Sequence, residues 1–171
     1  MGSREAPRDF GQAGAGIWPG GPLVLGVPWE FEERLVRAAA GLAVLMGAHL
    51  ICAFVDPASY LTEWEPDGSR AAISLDPVGN LEAEFPARQM LAALEGVLGA
   101  PGGSWSFRVL NGDVAKALAR LAESTNAAAL IVGGQRAGRV ARMGRMLEGS
   151  VSVSLTHLQA RPVLIVPHMG R

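Results

Sequence analysis

The chain has 171 residues, room for one domain with a full core and little more. Its 15 Lys and Arg against 16 Asp and Glu leave a net charge of −1, and nothing in that balance suggests a nucleic-acid partner, which requires a basic face. Hydrophobic residues make up 49% and mean hydropathy is +0.23, yet no apolar run approaches the roughly 20 residues of a membrane span.

Residues 1–20, MGSREAPRDFGQAGAGIWPG, read as a flexible, polar, Gly-rich lead with no secretion signal. Residues 21–168 then read as a single domain. The first strand is expected over Pro22–Val27, a short apolar run bounded by Gly and Pro. A helix follows, with Phe31, Leu35, Ala38, Leu42 and Leu45 on its inner face and Gly47 stopping it. The second strand is His49–Val55, ending at Asp56-Pro57. It contains Cys52, the chain's single cysteine, so no internal disulfide is possible and the thiol reads as buried and inert. A reducing, cytoplasmic setting is expected.

Residues 57–81 are broken by Pro57, Pro66, Pro77, Gly68 and Gly79 and read as a long surface excursion. Glu82–Leu98 is a helix with Met90, Leu91, Leu94, Val97 and Leu98 inward and Pro86 in its first turn. Trp105, Phe107 and Val109 alternate with Ser104, Ser106 and Arg108, the mark of a half-buried strand. Asn111-Gly112-Asp113 makes a turn, and Asp113 caps a helix over Val114–Ser124. Ala128–Val132 is a strand. A Gly/Arg-rich loop runs from Gly133 to about Leu147. Ser150 caps a helix with Val151, Leu155 and Leu158 inward. Val163–Val166 is the last strand. Strands alternating with helices predict an α/β fold: a doubly wound, Rossmann-like, five-stranded parallel sheet with helices on both faces. Ligands of such sheets lie beyond the carboxyl ends of the strands.

The informative stretch is LIVGGQRAGRVARMGRMLEGSVSVSLTHLQARPVLIVP. A strand runs into glycines, and Gly149-Ser150 opens a helix. Glycine backbone and a helix N-terminus together offer N–H groups to a phosphate. This run, with the element order upstream, resembles the C-terminal half of universal stress proteins. Nucleotide-binding members carry a loop G-x2-G-x9-G-[ST] that holds ATP phosphates, and an aspartate at the end of the first strand that meets the ribose. Here the spacing is G-x4-G-x10-G-S through Gly133, Gly138, Gly149 and Ser150, and Pro28-Trp29 stands where the aspartate would be. The resemblance implies adenine near Val27 and Val55, and phosphates, with magnesium, at Gly133, Gly138, Gly149, Ser150 and Val151. It also implies a homodimer, built through the last strand. Arg136, Arg139, Arg142 and Arg145 read first as a solvated face, and Arg136, nearest the strand end, as the best phosphate counter-charge.

Other chemistries lack their motifs. There is no GxxxxGK[ST] loop, no GxSxG elbow, and no GxGxxG after a strand. His49, His157 and His168 are scattered and read as structural or solvated. Glu63, Glu65, Asp67 and Asp76 read as loop solubilisers. Trp29 either stacks on an adenine or plugs its place. The expectation is a regulatory binding module that takes ATP or another adenine nucleotide, and not an enzyme. The alternative is a nucleotide-independent dimer of the same fold that works by contact with a protein partner.

Overall fold

The computed structural model describes residues 20–56, 77–134 and 151–168, with the backbone alone over 77–86. Apolar runs with no polar alternation must be buried on both faces, and two such runs form the sheet's centre. These are β1 (Leu23–Val27, LVLGV) and β2 (Leu50–Asp56, LICAFVD). The other strands are β3 (Trp105–Asn111), β4 (Ala129–Gly133) and β5 (Val163–Val166). All pairings are parallel, in the order β3-β2-β1-β4-β5. The expected five-stranded parallel sheet is therefore present.

Among the described residues, four helices lie between the strands: α1 (Glu33–Met46), α2 (Pro77–Leu98), α3 (Val114–Ser124) and α4 (Val151–Leu158). One core lies under α1 and α2 and gathers Leu23, Leu25, Leu50, Phe54, Trp105 and Phe107 with Val36, Met90 and Leu94. The other lies under α3 and α4 and gathers Val24, Ile51, Val55, Leu110 and Leu130 with Leu118, Leu121 and Leu155. Alternate residues of each strand thus feed opposite layers. Asp113 caps α3 as expected, accepting from the Lys116 backbone N–H at 2.9 Å.

Several expectations are corrected. The buried stripe of α1 is Leu35, Val36, Ala39 and Ala43. Ala38 is exposed, and Leu45, expected inward, is 86% exposed. The sequence ERLVRAAAGLAVLM is apolar around most of its circumference, so spacing alone admits two faces. α2 begins at Pro77, so residues 77–81 are helical and not part of an irregular excursion. Proline suits a first helical position, where its missing N–H leaves no bond unmade. Pro86 consequently falls well inside α2 and not in its first turn. Leu158 is exposed, while Ser152 is buried with Leu155. β2 includes Asp56, one residue beyond the expected end.

β1 and β4 are held together below their ends by a close backbone approach. The Ala128 N–H donates to the Pro22 carbonyl at 2.9 Å. Asn126 just before it takes a left-handed φ of 49°, which Asn tolerates better than most residues. A Cβ at Gly21 would stand 2.2 Å from the Asn126 carbonyl oxygen, whereas one at Gly20 would meet nothing within 4 Å. Gly21→Ala is therefore expected to lower the unfolding free energy by about 1–3 kcal/mol, and Gly20→Ala to leave it nearly unchanged. Urea denaturation of the two variants beside the parent checks this; equal midpoints for all three would show that the approach is not tight.

Candidate functional site

The connections from β1 and β2 turn to one face of the sheet, and those from β3 and β4 turn to the other. The chain reverses direction across the sheet between β1 and β4, and such a switch point leaves a crevice at the strands' carboxyl ends. A cavity of about 740 Å³ occupies this place. That is within the range of roughly 300–1,000 Å³ typical of small-molecule sites. Its wall is built from the ends of β1 (Gly26, Val27), β2 (Phe54, Val55, Asp56) and β4 (Val132, Gly133). Pro28, Trp29 and Glu30, which lead from β1 into α1, form one rim, and Val114 and Val151, at the starts of α3 and α4, form another.

Each part follows from local sequence. Gly26 has no side chain because α3 packs against it: a Cβ there would lie 2.9 Å from Leu118 Cδ1. Leu118 in turn floors the cavity. Trp29, after Pro28, is 51% exposed and rests against Phe54, with ring centroids 5.8 Å apart at an interplanar angle of 52°. This tilted pair gives the cavity an aromatic wall that is backed by packing yet open to a ligand. Trp29 therefore borders the space and does not fill it.

The polar groups on the described wall are few. Glu30 and Asp56 supply carboxylates, and no Lys or Arg lines the cavity among the described residues. The end of β2 is fixed to the turn after β3, since the Gly112 N–H donates to the Asp56 carbonyl at 3.2 Å. Gly112 has φ of 87°, which only glycine adopts readily. His168, beyond β5, also reaches the cavity, and its Nδ1–H donates to Glu32 Oε1 at 2.6 Å. The segment after the last strand is thereby fastened to the residue that precedes α1. Gly134 continues this side: its N–H donates to the Val166 carbonyl at 2.8 Å, and a Cβ there would come within 3.3 Å of Pro167 Cα.

Cys52 takes no part. It is fully enclosed beneath α1 and α2, and burial pushes its thiol up to about 12, far from reactive thiolate. Among the described residues no group of three or more His, Cys, Asp or Glu is placed to hold a metal ion.

The model of the universal stress protein family matches residues 24–167. The chain belongs to the universal stress protein family. No curated protein matches it. Solved structures of universal stress proteins share its fold at low identity. The Archaeoglobus fulgidus protein in complex with dAMP is 18% identical with a TM-score of 0.52, over 84% of this chain and 95% of that one. A universal stress protein in complex with cAMP is 20% identical with a TM-score of 0.50, over 86% and 98%. A family member from Burkholderia pseudomallei is 20% identical with a TM-score of 0.52, over 85% and 96%.

Of the residues expected at a universal stress protein ligand site, Val27, Val55, Gly133 and Val151 all stand on the one cavity wall. Arg136, Gly138, Gly149 and Ser150 lie outside the described residues, as do Arg139, Arg142, Arg145 and the acidic group Glu63, Glu65, Asp67 and Asp76. Phe54 and His168 are among the wall residues that sequence reasoning missed. Phe54 was hidden in a core run. His168 could be found only by knowing that β5 lies beside β4.

Proposed function

We propose that this universal stress protein is a regulatory module that binds ATP or another adenine nucleotide at the switch-point cavity. The observation that carries the reading is the cavity itself: about 740 Å³, floored by apolar side chains and faced by Trp29 at the carboxyl ends of β1, β2 and β4. A flat aromatic base suits the Trp29–Phe54 wall, since base–aromatic stacking is worth about 1–3 kcal/mol. Glu30 and Asp56 suit the hydroxyl-bearing part of the ligand, because carboxylates accept hydrogen bonds from hydroxyls and repel phosphates. Phosphates belong on the opposite side, near Gly133 and the start of α4. The arginines of the intervening loop, Arg136 first, supply counter-charge there. Counted back from Gly149, the two other glycines of the family's loop pattern fall on Arg136 and Arg139, so this chain uses side-chain charge where relatives use bare backbone. The dAMP and cAMP complexes of its structural relatives support an adenine ligand. The protein works as a binding module and not as a nucleotide-consuming enzyme.

A second reading rests on β5. It is an edge strand, and Leu164 and Ile165 are exposed on it. An apolar edge invites pairing, so we propose that a second copy covers it, forming a homodimer. In the nucleotide-independent form of this reading, contact with a protein partner is the whole function.

Trp29→Ala removes a half-exposed ring that packs on Phe54 and is expected to weaken binding of a fluorescent ATP analogue, with magnesium, by about tenfold or more. Unchanged affinity would remove the aromatic wall from the site; no binding by the parent would favour the contact module. Ile165→Glu is expected to convert a dimer to a monomer in sedimentation velocity, and an unchanged sedimentation coefficient would place the dimer surface elsewhere.

A further inference from the structure

The other end of the sheet carries a separate arrangement that the cavity does not use. His49 directly precedes β2, and the register sets Leu50 opposite Trp105 and Ile51 opposite Ser106. Ile51 and Leu110 face the α3 layer, so His49 and Ser106 share that face by alternation. Because β3 is the sheet's other edge, both side chains are half-buried and not sealed.

Their hydrogen bonds have one consistent assignment in the neutral ring. His49 Nδ1 lies 2.9 Å from the Gly103 carbonyl oxygen. A carbonyl only accepts, so Nδ1 carries the proton. Nε2 is then the lone-pair nitrogen, and the Ser106 hydroxyl, 2.8 Å away, donates to it. A hydroxyl against an imidazole base, with a third group fixing the tautomer, is the arrangement that activates a serine. A main-chain carbonyl here takes the orienting position that a carboxylate takes in other such sites. His49 and Ser106 are each partly exposed, and Gly102 and Gly103 beside them are exposed.

We propose that Ser106 is a nucleophile toward activated esters and that His49 is its general base. Ser106 Oγ bonds to the acyl carbon while its proton passes to His49 Nε2. The C–O bond to the leaving group then breaks, and the alkoxide takes that proton. Water activated by His49 later adds to the acyl carbon and releases the acid and free Ser106. The same attack on a fluorophosphonate forms an O–P bond and expels fluoride, which leaves a stable adduct. The proposal is independent of the adenine reading, because the two places lie at opposite ends of the strands.

The test treats the full chain with a fluorophosphonate probe and reads intact mass and the modified peptide. One adduct per chain at Ser106 is expected. It should be absent in Ser106→Ala, and its formation should slow by about a hundredfold in His49→Gln, which keeps a polar side chain but no base. No adduct on the parent, an adduct on another residue, or equal rates in His49→Gln would each overturn the proposal. Should Ser106→Ala fail to fold, the mapped adduct and the His49→Gln rate still decide it.

Discussion

The structure depends on β1 being held by parallel pairing on both sides, to β2 and to β4. A strand so placed has no face toward water, so its residues must be apolar throughout, and Leu23, Val24 and Leu25 are completely buried. Both faces of the sheet must then be covered, which puts α1 and α2 on one side and α3 and α4 on the other. Crossovers of one hand reach both faces only if the chain leaves β1 in one direction and returns to its far side. The crevice above Val27 and Gly133 is the geometric consequence. The cavity is therefore a product of the core and not an addition to it.

The chemistry of the wall follows from what the strand ends can offer. Strands buried on both faces end in small or apolar residues, so specificity falls to the few groups just past them. Here these are Trp29, Glu30, Asp56 and His168. Trp29 is supported from behind by Phe54, and His168 is fastened to Glu32, so two of the rim's separate segments are braced against the body. The negative side lies at β1 and β2, and the arginine-rich segment follows β4.

Much of the fold was legible because its signals are local. Continuous apolar runs marked β1 and β2, alternation marked β3, and Asp113 marked the start of α3. The inner face of α1 was not legible, since Leu45 and Ala43 are both apolar and only packing against the sheet chooses between them. α2 was read short because its early prolines and glycine look like breakers, although Pro77 sits where a proline costs nothing. At the site, Val27, Val55, Gly133 and Val151 followed from topology and family resemblance. His168 did not, because it matters only through neighbours that the fold supplies. Glu32 and His168 stand at opposite ends of the described chain, and no spacing rule connects them. His49 and Ser106 likewise meet only through the pairing of β2 with β3.

Whether the cavity takes an adenine nucleotide is tested most directly by isothermal calorimetry of ATP, with magnesium, into protein freed of bound nucleotide. The account predicts saturable heat with one site per chain and micromolar affinity. Absence of heat, together with an unchanged melting temperature at saturating ATP, would contradict it and leave the fold without this ligand.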